Sequence, residues 1–312
     1  MSKIIGGCTG ANLFYDCRTV QAASPLVSIA DGAPWLWSNG YWRGGDNPVV
    51  PSTTVDPATI PPAGADPRTA YNWWAGLNTY QREDAVASYP ERVGNLDGLP
   101  AAARDQANRS IVQASEQNLV NDRTEAQASV AHIEDMIAQG RVRELYPDEP
   151  SADWARNRAD ADLLHLAARI EQIETKLVAV AAVKNRLANT TSPQAFLLKF
   201  STSEGTGRAV VAVNNPDTAD NVVTYVPGTF SGFNDGAASD IDRSDRMVAD
   251  AVTIAPGKKT SSITWLGYDA PQSLVPGAAM EHYAVDAAPN LRRFQQGLRL
   301  AHQGGTGHLT VL

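Results

Sequence analysis

Ten residues, Asn221–Phe230 (NVVTYVPGTF), constrain the fold of this chain more than any other stretch. Val222, Val223, Tyr225 and Val226 form a β-branched and aromatic run without polar alternation, the pattern of a parallel strand covered by helices on both faces. Pro227 and Gly228 end the strand. The turn they make is expected to expose the backbone N–H groups of Gly228, Thr229 and Phe230 at the carboxyl end of the sheet, where open α/β folds bind ligands.

The flanking sequence supplies the rest of such a sheet. Gln194–Phe200 and Arg208–Asn214 read as two short strands joined across Ser-Glu-Gly-Thr-Gly, a hairpin connection. Residues 235–250 read as a loop and helix, with Ser239, Asp240 or Asp242 as N-caps and Ile241, Met247, Val248 and Val252 as apolar contacts. Ser261–Leu266 (SSITWL) is a further buried strand, ending in Gly267-Tyr268-Asp269-Ala270-Pro271. A helix over 286–301 places Leu291, Phe294, Leu298 and Ala301 on one face. Gly304-Gly305-Thr306-Gly307 then leads into the strand His308–Leu312; because this glycine run precedes a strand and opens no helix, it is an αβ connection and not a phosphate cradle.

Upstream the period is helical. Two long helices are expected, roughly 101–141 and 151–189. In the second, Leu163, Leu166, Ile170, Ile173, Leu177, Val180 and Leu187 step by threes and fours, with Lys184 breaking the seam. Ala126, Val130, Ile133 and Ile137 answer in the first, which predicts an antiparallel hairpin. A shorter helix after Thr69 carries Tyr71, Trp73, Trp74, Leu77 and Tyr80 and stops at Tyr89-Pro90. Six prolines between Pro48 and Pro67 predict an extended connector. Residues 1–47, rich in Gly, Asn and Trp, show no period; the cluster Trp35, Trp37 and Trp42 suits packing against the main body or a partner surface. The expected organisation is therefore an irregular segment over 1–47, a Pro-rich linker over 48–69, a helical region over 70–191 and an α/β domain over 192–312.

Composition narrows the partners. A net charge of -8 and a pI near 5.1 argue against a nucleic-acid surface, which needs clustered cations to release counterions. No stretch approaches the apolar length of a membrane span, and the glycines at Gly6, Gly7 and Gly10 break any signal-peptide core, so a cytoplasmic location is expected, with export by a non-classical route as the alternative. Cys8 and Cys17 either pair in an exported protein or remain free thiols in a reducing compartment. His132 and His165 have no second ligand at i+4, and Asp240, Asp242, Ser244 and Asp245 lack the glycine and glutamate of a calcium loop, so neither a metal nor a cofactor is expected.

Strand, strand, strand, helix, strand, helix, strand is the ordered first half of an α/β-hydrolase sheet. Specific segments carry the likeness further: Trp73-Trp74 through Tyr89-Pro90, Gly94-Asn95-Leu96-Asp97-Gly98-Leu99-Pro100, Arg104-Asp105-Gln106-Ala107-Asn108-Arg109, Asn215-Pro216-Asp217-Thr218-Ala219-Asp220, Tyr225-Val226-Pro227-Gly228-Thr229 and Thr264-Trp265-Leu266-Gly267-Tyr268-Asp269-Ala270-Pro271. With them, residues 70 to 312 closely resemble an actinobacterial α/β-hydrolase family of uncharacterised function. The resemblance implies a partial α/β-hydrolase sheet of about five mostly parallel strands, preceded by the long helical hairpin. It also implies a serine hydrolase of esterase, lipase or amidase type acting on a small-molecule or lipid ester or amide. Its nucleophile would sit in Gly-His-Ser-Tyr-Gly directly after the strand His308–Leu312.

No Gly-x-Ser-x-Gly occurs in the 312 residues, and His282, His302 and His308 precede the elbow position, out of order for this fold's triad. The chain is thus expected to be an N-terminal portion that carries the oxyanion loop Gly228, Thr229 and Phe230 without triad residues, and to be inactive by itself. A binding or assembly protein that uses the helical hairpin or an open sheet edge to self-associate is the alternative reading. Ser231 or Ser262 as an unconventional nucleophile is a third.

Overall fold

The computed structural model describes residues 36–38, 41–43, 52–272, 281–304 and 307–312. The chain divides into two compact units, Met1–Pro51 and Ser52–Leu312. In the first, strands β1 (Leu36–Ser38) and β2 (Tyr41–Arg43) pair antiparallel, with Trp37 opposite Trp42. Trp35, Cys8 and Cys17 lie outside the described residues.

The second unit opens with a segment that the prolines predicted as extended connector. Ser52–Asp66 is instead fastened down. Val55 and Ile60 are buried among Trp74, Val86 and Leu99, Val55 N–H donates to Asp84, and Arg92 donates to the Pro57 and Ile60 carbonyls. Prolines fix φ without forbidding burial, and here two apolar side chains between them find a core. The expected single helix after Thr69 is two, α1 (Pro67–Gly76) and α2 (Thr79–Ser88), because Asn78 starts a new helix with a capping box to Gln81. Tyr71 and Tyr80 are exposed as a result. A short α3 (Pro90–Val93) follows.

The long hairpin is as the periodicity predicted. Helix α4 (Ala101–Ala138), the short α5 (Val142–Leu145) and α6 (Ala152–Ala188) form it, with Ile133, Val142, Ala155 and Ala159 packed near the tip. Lys184, the residue breaking the seam, pairs with Glu116 across the helices.

The sheet contains β3 (Ala195–Ser201), β4 (Arg208–Val213), β5 (Asn221–Tyr225), β6 (Thr260–Leu266) and β7 (His308–Val311) in the order β3-β4-β6-β5-β7. Helix α7 (Ala237–Ile254) lies between β5 and β6 in the chain, and α8 (Glu281–Ala301) between β6 and β7. This is a mixed five-stranded sheet with helices, a partial α/β-hydrolase fold. The pairings β3–β4 and β4–β6 are antiparallel while β6–β5 and β5–β7 are parallel, so the sheet is evenly mixed where a mostly parallel one was expected. The hairpin at its start sets two of the pairings antiparallel.

Side chains sort to the two faces with period two. Ala209, Val211 and Leu266 face α4, α6 and α7, together with Val180, Val183 and Ile241. Val210, Ala212, Ile263 and Trp265 face α8, with Phe294 and Leu298. A bulge between Leu197 and Lys199 turns Phe200 to the same face as Leu197. Both layers lie in the compact unit Ser52–Leu312.

Strand β6 is buried throughout, as expected, but β5 is not. Val222 and Thr224 are buried while Asn221, Val223 and Tyr225 are half-exposed. The reason is placement: α7 packs over β6 and β4 and reaches Tyr225 chiefly through Arg243, which donates to its hydroxyl at 2.7 Å and lies 5.2 Å from its ring centre. Helix α7 starts at Ala237 with Gly236 as N-cap, so Ser239, Asp240 and Asp242 are helical residues and not caps, and Val252 is exposed.

Edge strand β3 is closed by polar side chains from α4 and the loop before it. Asp105 accepts from Leu197 N–H at 2.7 Å, Asn108 donates to the Leu197 carbonyl at 2.9 Å and Arg109 to that of Ala195 at 2.8 Å. Asn95 bonds both the N–H and carbonyl of Phe200. These groups imitate a neighbouring strand and remove the template for edge pairing. The other edge, β7, is largely exposed.

Helix α4 begins where Asp217 accepts from the Ala101 N–H at 2.7 Å. Burial raises the Asp217 carboxyl to about 6, against the opposing effect of that N–H, Arg104 and His302. A folded-state pKa above the unfolded value of 3.8 gives stability that is complete below about pH 4 and lost as pH rises through about 6. Asp217→Asn is expected to abolish that part of the slope, roughly 2–3 kcal/mol, read as the difference between variant and parent unfolding free energies from pH 4 to 7. Asp105→Ala strands both the Leu197 N–H and the Arg109 guanidinium, and should cost about 2–4 kcal/mol in urea denaturation.

Candidate active site at the carboxyl edge

Successive connections of the parallel strands leave on opposite faces. The chain leaves β5 through α7 on one face and leaves the adjacent β6 through α8 on the other. Neighbouring strands whose connections diverge in this way open a crevice at their carboxyl ends. Two loops form its walls here, Val226–Gly236 after β5 and Gly267–Gln272 after β6, and the end of β7 lies alongside. Val226 N–H donates to the Leu312 carbonyl at 2.9 Å, and Leu312 N–H to that of Thr224 at 2.9 Å, so pairing between β5 and β7 continues to the lip.

The β5 loop is held by the β6 loop. The Tyr268 hydroxyl donates to the Pro227 carbonyl at 2.6 Å, Phe230 N–H donates to the Pro271 carbonyl at 2.8 Å, and the Gln272 carboxamide donates to the Ser231 carbonyl at 2.9 Å. Tyr268 is itself fixed by stacking on Trp265. Ser231 N–H closes a turn on the Gly228 carbonyl at 3.1 Å.

Of the three residues expected to offer oxyanion N–H groups, Phe230 has its N–H committed to Pro271 and cannot serve in this conformation. Gly228 and Thr229 N–H groups have no acceptor among the described residues. A Cβ at Gly228 would meet nothing within 4 Å, so open space lies beside it. Phe230 is at φ 67° with its ring 54% exposed, an unfavourable backbone and an unfavourable surface at one residue.

In the sequence Asp240 reads as one of three alternative N-caps, with Ser239 and Asp242. It lies instead one turn into α7 beneath the loop, 6% exposed, with Oδ2 bonded to nothing among the described residues. Burial raises its proton affinity, opposed by the Ser231 hydroxyl and Arg243. Burial also raises the Tyr225 and Tyr268 phenols, and the Asp240 charge adds to both. Spacing in the sequence offered no signal for this cluster, because its members come from β5, two loops and α7. On the rim, Asp269 takes two bonds from Arg208 and one from the Thr206 hydroxyl, which hold its carboxyl well below the usual carboxylate range.

Other candidates disperse. Ser262 is fully buried within β6 beside Met247, which removes it as a nucleophile. Ser231 is at the crevice with Asp240, and no histidine is bonded to it among the described residues. His302 bonds the Ala219 carbonyl, and His308 starts β7, both at the amino edge of the parallel strands. His282 starts α8 and lines a recess of about 370 Å³ with Tyr268, Asp269 and Asp286. No group of three or more His, Cys, Asp or Glu able to hold a metal occurs among the described residues, and no helix there is long and apolar enough to cross a membrane.

Residues 203–312 match the family model described as Alpha/beta hydrolase. The matched stretch begins in the β3–β4 turn and contains both crevice loops. Over nearly the whole chain there is also a 29% identity to two uncharacterised proteins of Mycobacterium tuberculosis, from strains CDC 1551 and ATCC 25618, covering 94% of this chain and 44% of each of theirs. The chain therefore spans about half the length of the curated relatives it matches. No solved structure matches.

Tyr268→Phe deletes the donor to Pro227 while keeping the stack on Trp265. It is expected to cost about 1 kcal/mol and to speed amide hydrogen exchange over residues 228–231, measured by mass spectrometry, with the β3–β4 hairpin unchanged.

Proposed function

We propose that this chain forms the carbonyl-polarising part of a serine hydrolase acting on esters or amides. The Gly228 and Thr229 N–H groups receive the oxyanion, and the nucleophile is supplied by an elbow following β7. The observation that carries this reading is the pair of N–H groups without an acceptor among the described residues, on a turn tied beside the carboxyl end of β7. A strand of an α/β-hydrolase sheet that delivers its nucleophile at an elbow presents it at that edge. Donors set by the fold before substrate arrives need no reorganisation as charge develops on the carbonyl oxygen, which is why such groups contribute to rate more than to binding.

Attack requires a group that the 312 residues do not contain in Gly-x-Ser-x-Gly form, so the chain by itself is expected to hydrolyse p-nitrophenyl esters no faster than background. In a chain carried past β7 to the length of the mycobacterial relatives, Gly228→Pro removes one N–H and should lower kcat about 10²–10³-fold with KM little changed. Gly228→Ala retains the N–H and enters open space, and should keep the parent rate. Equal rates for the proline and alanine variants would remove Gly228 from the oxyanion site.

A further inference from the structure

A cleft of about 410 Å³ lies on the α6 side of the crevice, within the range of roughly 300–1,000 Å³ usual for small-ligand sites. Its polar walls are Glu171, Gln172, Thr175 and Lys176 on α6, Thr206 in the β3–β4 turn, Asn234 before α7, and Gln272 after β6. Two of these side chains also hold the proposed oxyanion turn: Gln272 donates to the Ser231 carbonyl and Asn234 to the Phe230 carbonyl at 3.3 Å. The cleft and the turn thus share structural members, and a ligand in one lies beside the other.

The Thr175 hydroxyl gives its proton to the Glu171 carbonyl and the Thr206 hydroxyl to Asp269. The Gln272 amide nitrogen donates to Ser231 and Ala270, and the Asn234 amide nitrogen to Phe230. Apart from the second Asn234 N–H, the protons on these groups are directed into the fold. The remaining capacity is oxygen lone pairs on Thr175, Thr206 and Gln272, the Glu171 carboxylate, and the Gln172 carboxamide, which both donates and accepts. Lys176 gives one N–H to the Thr202 carbonyl, and its charge offsets that of Glu171. The lining offers acceptors together with the remaining N–H groups of Lys176 and Gln172 and is close to neutral, which suits an uncharged ligand whose groups both donate and accept, as hydroxyls do. An acyl chain would leave these oxygens without partners.

We propose that the cleft binds a neutral polyhydroxylated group, a saccharide, forming part of the substrate, with the exposed Phe230 ring providing an apolar surface at the lip. Its position next to a reaction centre rests on the hydrolase reading; the binding itself needs no nucleophile. The left-handed, exposed aromatic at Phe230 gains a role from this, since strain of that kind persists where function uses it.

Isothermal titration of the 312-residue chain with maltotriose, with chitotriose and with octanoate tests the assignment. At least one saccharide should bind, and Thr175→Val and Gln272→Leu should each weaken it about tenfold, the effect of one lost hydrogen bond. Thr175→Val touches none of the bonds that hold the turn, so it keeps the test sound if Gln272→Leu disturbs the loop. Circular dichroism checks the fold of both. Binding of neither saccharide, saccharide binding unaltered by Thr175→Val, or octanoate binding that Thr175→Val strengthens would overturn the proposal. Ester hydrolysis by the longer chain without saccharide binding would overturn this inference alone, whereas saccharide binding without hydrolysis would overturn only the hydrolase reading.

Discussion

The contact between the first turns of α4 and the outer edge of β3 is the constraint on which the rest of the molecule depends. A helix normally meets a sheet through apolar side chains, but here Asp105, Asn108 and Arg109 meet bare backbone. Each bond removes a buried donor or acceptor that would otherwise remain unsatisfied, so the contact is enforced by the cost of breaking it more than by its own strength. Burial raises the Asp105 carboxyl, and the Leu197 N–H and Arg109 oppose that shift. With α4 fixed in this way and its start bonded to Asp217, the hairpin leaves the sheet in one direction only. Helix α6 is then set along the turn between β3 and β4, where Lys176 reaches the Thr202 carbonyl. The polar cleft follows from that placement.

Helix α6 is held to the sheet layer a second way. Arg186, 8% exposed, makes two bonds to Asp245 on α7, at 2.8 and 2.7 Å, and one to the Pro193 carbonyl at 2.6 Å. A buried ion pair of this kind specifies which surfaces meet, while its net contribution to stability is modest because both charges lose water. Close approach by glycine does comparable work for α8. A Cβ at Gly297 would come within 2.6 Å of the Gly98 N, so α8 seats on the loop before α4 only because that position has no side chain. Helices on both faces are thus registered against the same loop and the same sheet.

How much of this was legible in the sequence depended on whether the signal was periodic. Seam positions Ile173 and Val180, the face of Phe294, Leu298 and Ala301, and the buried run of β6 all follow from spacing, and the structure places them as read. Burial that depends on what lies above a strand is not written in that strand. Val223 and Tyr225 look like core residues until α7 is seen to cover β6 and β4 instead. Composition likewise misjudged Ser52–Asp66, where frequent proline obscured Val55 and Ile60 as core side chains. The turn after β5 was legible as a turn from Pro227-Gly228, but the loss of the Phe230 N–H to Pro271 comes from a distant loop and leaves no trace in local sequence. Asp240 was hidden for the same reason: at the start of a helix a carboxylate reads as a cap, and only the fold shows that the helix already began at Ala237.

Phe230 and Asp240 each work against stability, one through a left-handed backbone and an exposed side chain, the other through a buried carboxyl oxygen without a partner among the described residues. Both could have been relieved by single substitutions, to glycine at 230 or to an apolar residue at 240, without disturbing the sheet. They flank a turn whose carbonyls are well satisfied: Tyr268 on Pro227, Gln272 on Ser231, Asn234 on the Phe230 carbonyl. Strain fixed inside a firmly bonded frame costs stability continuously and yields nothing to packing, so it marks a place where geometry is held for another purpose. That place coincides with the crevice that opposite helix connections open at the carboxyl ends of β5 and β6, a location fixed by topology alone. Strain and strand order thus coincide at the turn after β5, the turn to which the proposed function assigns the oxyanion donors.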